Sequence, residues 1–236
     1  MRRRIRQPPP NNLKASQATA ENRPAHIQED LRKKKKGHQM KKSAFVSALS
    51  MGILSIGLAF ATPQQAVDQL KENSTQVLNI LSRANGGNAN QVRRQAENYA
   101  IPYFDFARMT ELAVGSPWRN ASAAQKTALT EQFKTLLIRT YSGTMLEYRN
   151  ARVNIRPNAV VRGRSVIVTA DITPSAGGKA VVMDYTMYQS GNKYRVYNVA
   201  VDGASLVTVY RQQFNNTIRQ KGIDGLIEEL RSKNGA

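Results

Sequence analysis

The chain of 236 residues contains no cysteine and only two histidines, His26 and His38. Without cysteine there is no disulfide, no thiolate nucleophile and no thiolate metal ligand. Acids are also scarce, with 16 Asp or Glu against 35 Lys or Arg, a formal net charge of +19. Tryptophan occurs once, at Trp118. No glycine-rich phosphate loop and no His, Cys or acid spacing of a metal site is present. The excess of base is uneven: residues 1–61 hold 13 basic against 3 acidic residues, and the rest hold 22 against 13, a balance of +9 over a length that suits one domain.

What is present begins with "MKKSAFVSALSMGILSIGLAFA", Met40 to Ala61. Two lysines, an apolar run and Ala59-Phe60-Ala61 reproduce the basic, apolar and small-residue regions of a secretory signal. An uncleaved anchor is the alternative, since the stretch nearly reaches membrane-spanning length. Its serines and glycines, and the A-x-A end, favour cleavage after Ala61. Residues 1–39 are rich in Pro, Asn and Lys, include Lys33 to Lys36, and lack an apolar period, so they are read as a disordered extension or as lying before the true start at Met40. A basic nucleic-acid-binding tail is the competing reading of that run. Cleavage after Ala61 removes both histidines, and with them Ser-His-Asp, Cys-His and imidazole-metal chemistry in the mature chain. Carboxylate, Lys or Tyr chemistry is left, or none.

Residues 62–236 are expected to form one α+β domain: N-terminal helices, an antiparallel sheet of about four strands, and C-terminal helices packed around an apolar pocket. From Pro63, Val67, Leu70, Val77, Leu78, Ile80 and Leu81 recur at helical spacing, and Gly86-Gly87 closes the run. A polar helix follows from about Ala89 to Tyr99. After Trp118, Ser122 and Gln125 make a capping box, and Leu129, Phe133, Leu136, Leu137, Tyr141 and Leu146 form one stripe. The period then changes to two in "ARVNIRP", "VVRGRSVIVTADI", "KAVVMDYTMYQ" and "KYRVYNVAVD", four strands joined by short turns. On them Val166, Val168, Ala170 and Ile172 share a face, as do Val181, Met183, Tyr185 and Met187, and Tyr197, Val199 and Val201. A last stripe of Leu206, Val209, Tyr210, Phe214 and Ile218 precedes a short final helix, "IDGLIEELRSKN".

Two features are weighed as chemistry. Asp171 and Asp184 sit on neighbouring strands, where a pair of acids would suit a glycosidase; solvent-facing acids paired with Arg164, Lys179 or Arg195 are the plainer reading. Asp105 lies inside "YFDFARMTELAVGSPWR" between Phe104 and Phe106, and an acid among aromatics must be exposed, capping or paired. An N-cap near Phe106, or a pairing with Arg108 or Arg119, accounts for it. Neither feature makes an enzyme. The convergence of three apolar helical stripes with a Met- and Tyr-rich sheet face suits an adaptable hydrocarbon cavity.

The stretches "IPYFDFARMTELAVGSPWR", "LIRTYSGTMLEY", "YRVYNVAVDGASLVTVYRQQF" and "KGIDGLIEELRSKN" resemble the MlaC, or toluene-tolerance (Ttg2-type), family of periplasmic phospholipid carriers, from about Ala66 to Asn234. Ile101, Tyr194 and Asn198 stand where family members typically have Phe, Trp and Asp; Asn198 retains an acceptor. The resemblance implies a periplasmic carrier, with phospholipid as its ligand and no other cofactor or metal, that moves lipid between an outer-membrane lipoprotein–porin complex and an inner-membrane ABC-type transporter with its periplasmic substrate-binding subunit. It would serve outer-membrane lipid asymmetry without nucleic acid and without catalysis. Their faces in the pattern make Phe104, Met109, Leu137, Tyr141, Val168, Met183, Tyr185, Val199, Leu206, Tyr210 and Phe214 the expected tail contacts, and Arg211 the expected head-group contact. The rival readings are a periplasmic hydrolase using Asp171 and Asp184, and a basic membrane-surface binder.

Overall fold

A computed structural model describes residues 62–175, 177 and 179–235. The expected signal, Met40 to Ala61, and residues 1–39 lie outside the described residues. Helix α1 (Pro63–Leu81) starts where Thr62 and Gln65 cap each other reciprocally, with Pro63 supplying a preset first-turn φ. It ends before Gly86-Gly87, because Asn85 and Asn88 fold the chain back: Asn85 Oδ1 accepts from the Gly87 and Asn88 amides, and Asn88 Oδ1 accepts from the Asn85 amide at 2.7 Å. Helix α2 (Ala89–Ala100) leads through a 3-10 turn, Ile101–Tyr103, to α3 (Phe106–Val114). Helix α4 (Ala123–Met145) carries the anticipated Ser122–Gln125 box, with bonds of 3.1 and 3.0 Å.

The sheet has six strands rather than about four: β1 (Arg152–Ile155), β2 (Val160–Arg162), β3 (Ser165–Thr173), β4 (Val181–Ser190), β5 (Lys193–Val201) and β6 (Ala204–Ser205). Every pairing is antiparallel, in the order β1-β3-β4-β5-β6, with β2 on the edge of β3 that β1 also uses. Gly163, at φ +59°, folds the run read as one strand into the β2–β3 hairpin. Helix α5 (Leu206–Asn234) joins the last two expected helices across a break at Gly222, φ +70°.

Register decides the faces. Val166, Val168, Ala170 and Ile172 oppose Met187, Tyr185, Met183 and Val181, so both rows point inward. On β5 the register slips between Thr186 and Met187, which pair with Asn198 and Val196 and leave Tyr197 as the extra residue of a bulge. Tyr197 therefore joins the outer face with Ser165 and Tyr188 instead of the face of Val199 and Val201: its hydroxyl lies 2.8 Å from Ser165 Oγ, and its ring centre 5.9 Å from that of Tyr188.

Three packed regions result. Helices α3, α4 and α5 enclose Met109, Leu129, Phe133, Tyr210, Phe214 and Leu226. The first half of α1 seals Val166, Val168, Met187 and Val196 of the sheet with Ala66, Val67 and Leu70. The end of α1 meets α2 around Leu81, Val92 and Ala96. These regions do not fuse into one core.

Candidate functional site

Where the three regions meet, a cavity of about 490 Å³ remains. Packed protein interiors leave few voids larger than a water molecule, and ligand sites run from roughly 300 to 1,000 Å³. The sheet contributes Val181, Met183, Tyr185, Met187, Val196, Val199 and Val201; α1 contributes Leu70, Val77, Leu78 and Leu81; α4 contributes Leu137, Ile138, Tyr141 and Met145. Ile101, Tyr103, Phe104, Phe106 and Met109 close it from the stretch that leads into α3. Met183, Tyr185 and Val201 are inward-facing yet only half-buried, whereas Val168 and Ala170, on the same face, are wholly sealed.

The cavity's polar groups are few and mostly occupied. Tyr99 Oη donates to Asn73 Oδ1 at 3.2 Å, and Arg93 Nη1 bridges Glu97 Oε1 at 2.6 Å and Ser142 Oγ at 3.1 Å. Burial pushes the Tyr185 phenol up to about 12. Burial, and then the neighbouring Tyr210, raises Tyr141 to about 12; burial, and then the hydrogen bond with Tyr103, does the same for Tyr99. All three phenols stay neutral throughout the physiological range. Glu97, the sole Asp, Glu, Lys or Arg among the described residues of the wall, is paired with Arg93. Such a wall solvates hydrocarbon.

Eight of the expected contact residues line this space: Phe104, Met109, Leu137, Tyr141, Met183, Tyr185, Val199 and Leu206. Three do not. Val168 is covered by α1, and Tyr210 and Phe214 pack edge-on or tilted against Phe133 and each other between α4 and α5, at 4.9 to 5.7 Å between ring centres. Arg211, the expected head-group contact, is not among the residues that line the cavity. Its guanidinium lies against the turn at Gly115, where an added Cβ would come within 3.0 Å of Nη2, and it takes no part in the cavity wall. Val77 and Leu78 line the cavity but were legible only as part of a helix stripe, and Ile138 and Met145 were not singled out, because periodicity gives a face and not what lies opposite it.

Asp105 is structural. Its Oδ1 accepts from the Arg108 amide at 2.9 Å as the N-cap of α3, and its Oδ2 accepts from Tyr188 Oη. The Asp105 amide donates to Val196 O at 2.7 Å, Arg195 donates to Phe104 O at 2.7 Å, and Arg108 stacks over Tyr197 and Tyr188 at 4.0 and 4.6 Å. This latch presses Phe104 and the start of α3 onto the edge of β5. Asp105→Ala removes both a cap and a charge-assisted bond, and is expected to cost about 2–4 kcal/mol in urea unfolding, with Tyr188→Phe costing less. An equal loss in the two variants would show that the cap contributes nothing.

The acids on the sheet do not form a catalytic pair at the cavity. Asp171 and Asp184 lie on the outer face, opposite Val182 and Thr169. Arg156 holds Asp171 in two hydrogen bonds, of 2.6 and 2.9 Å, and these keep its carboxyl below the usual range; Asp184 accepts from Thr169 Oγ1 at 2.6 Å. Asn198 Oδ1 accepts from Ser205 Oγ at 2.9 Å and from the Val207 amide at 3.4 Å, fastening β5 to the start of α5.

Fold and interior together define an α+β domain wrapped around an apolar ligand cavity. The model of the family described as MlaC protein matches residues 71–232, and the chain belongs to that family. Among curated relatives, it is 28% identical over 106 residues to toluene tolerance protein ttg2D of Pseudomonas putida, a match covering 45% of this chain and 49% of that protein. The chain thus spans about half the length of that relative. It is 23% identical over 144 residues to the intermembrane phospholipid transport system binding protein MlaC of Haemophilus influenzae, covering 60% of this chain and 67% of that one. Among solved structures, it resembles a phospholipid-binding protein from Ralstonia solanacearum in complex with a phospholipid, with 30% identity and a TM-score of 0.66 over 72% of this chain and 97% of the other.

Proposed function

We propose that this chain is a periplasmic carrier that encloses the acyl chains of a phospholipid in its apolar cavity and ferries the lipid between an inner-membrane ABC-type transporter and an outer-membrane lipoprotein–porin complex. The observation that carries this reading is the cavity of about 490 Å³ whose described wall residues include one paired acid and are otherwise uncharged. The phospholipid held by the Ralstonia solanacearum protein supports it, as does the name of the Haemophilus influenzae relative. A tail of about sixteen carbons, at about 0.8 kcal/mol per CH₂, costs on the order of 10 kcal/mol to leave in water. Crossing an aqueous compartment therefore requires enclosure rather than surface contact.

No helix of the described residues is long and apolar enough to cross a membrane. No group of acids and histidines among them has the arrangement of a metal site, and the reading needs neither a metal nor a covalent step. Tails enter when the α3–α4 layer and the sheet part, and leave when a partner stabilises the parted state. The basic balance of residues 62–236 adds a general attraction to anionic membrane surfaces.

Mass spectrometry of an organic extract of the purified protein tests the reading. Stoichiometric phospholipid is expected, with reloading from vesicles after delipidation. A protein that carries none and takes up none would leave the cavity without this role.

A further inference from the structure

Beside the lipid cavity lies a second concavity of about 180 Å³, between α1 and the edge strand β1. Lys71, Ser74, Thr75 and Leu78 line it from the helix, and Val153, Asn154 and Ile155 from the strand. Ser74, Leu78 and Val153 also line the main cavity, so the two spaces share a wall. One is apolar and the other is lined largely by polar groups.

Two of its side-chain donors lack partners. Among the described residues, Lys71 Nζ has no carboxylate within ion-pair distance and Ser74 Oγ has no hydrogen bond. Thr75 Oγ1 donates to Lys71 O at 2.9 Å, which leaves it fixed at the cleft. The strand adds backbone donors. Arg156 N donates to Thr169 O at 2.9 Å, and antiparallel ladders alternate, so Arg152, Asn154 and Arg156 bond to β3. The amides of Val153 and Ile155 then point away from β3, toward the free edge of the sheet. A lysine ammonium, a free hydroxyl and two edge amides make a receptor for a phosphoryl oxyanion.

We infer that the cleft between α1 and β1 is a phosphate subsite, in which Lys71 and Ser74 hold the phosphodiester of a lipid whose tails occupy the adjoining cavity. The inference rests on the carrier reading for the identity of the ligand, and on the cleft alone for its chemistry. It also moves the head-group position from Arg211 on α5 to the opposite end of the chain.

The test uses the delipidated protein and two probes with the same tails: phosphatidylglycerol, and diacylglycerol, which lacks the phosphate. Wild type is expected to retain phosphatidylglycerol at least about tenfold better than diacylglycerol, the worth of one charge-assisted bond. Lys71→Gln should erase that preference without changing diacylglycerol retention or the urea midpoint, and Lys71→Arg should keep it. Equal retention of the two lipids by wild type, or an unchanged preference in Lys71→Gln, overturns the subsite while leaving the carrier reading intact. If neither lipid is held, the carrier reading has failed, and titration with inorganic phosphate decides the rest. Phosphate binding lost in Lys71→Gln supports a free-anion site, and no phosphate binding overturns it.

Discussion

Met183→Trp is expected to lower phospholipid loading by about tenfold or more while leaving the stability of the lipid-free protein within about 1 kcal/mol of wild type. Met183 stands on β4 at the cavity wall, and a larger ring there fills space that no other side chain occupies. The added apolar contact offsets lost rotamer freedom, so the folded state gains what the ligand loses. Val168→Trp is the control. Val168 lies on the same sheet face, opposite Tyr185, but is fully sealed beneath α1. The same ring there has no room, and overpacking should cost about 3 kcal/mol or more. Urea midpoints and lipid counts on both variants give the comparison, and equal destabilisation would mean that the space near Met183 closes into ordinary core.

Phe214→Ala should do the reverse, costing about 3–5 kcal/mol of stability with lipid per folded molecule unchanged. Phe214 is 3% exposed and meets Phe133 nearly edge-on at 5.0 Å, in the region that holds α4 against α5. Truncation leaves a hole among rings that cannot collapse onto one another. A drop in lipid per folded molecule would return Phe214 to the pocket wall, where the apolar stripe alone had placed it.

These two variants mark the boundary of what pattern reading achieves. The helices from Pro63 and Ala89 were legible in the sequence, the helix start near Phe106 through Asp105 as its cap, and the Ser122–Gln125 cap from four residues, because each depends on neighbours within a turn or two. The inward rows of β3 and β4 followed from strict alternation. On β5 the same rule failed at one residue: the bulge sends Tyr197 to the outer face, where Arg108, Tyr188 and Ser165 receive it. A bulge is a property of two paired strands, and alternation along one of them carries no trace of it. The Gly163 hairpin was hidden for a similar reason, since one glycine in an apolar run is also compatible with a continuous strand.

The site divides in the same way. Asp105 was legible as a cap, because a cap needs only the helix that follows; that it also accepts from Tyr188 required β4 to arrive beside it. The phosphate cleft was not legible at all. Lys71, Ser74 and Thr75 are ordinary exposed or half-exposed positions of a helix until β1 lies alongside with two amides unpaired.

Composition and periodicity alone established a cysteine-free α+β domain, with helices before and after an antiparallel sheet and an excess of apolar faces directed to one interior. Those properties are local, written in residue type and in spacings of two and three to four. Which of these faces touch each other and which border empty space was decided only when the sheet's register and the helices' approach were set together. Val168 and Met183 lie two positions apart in register on one face, yet one is sealed by α1 and the other opens on the cavity. The difference is the reach of α1 across the sheet, a distance that no run of neighbouring residues encodes.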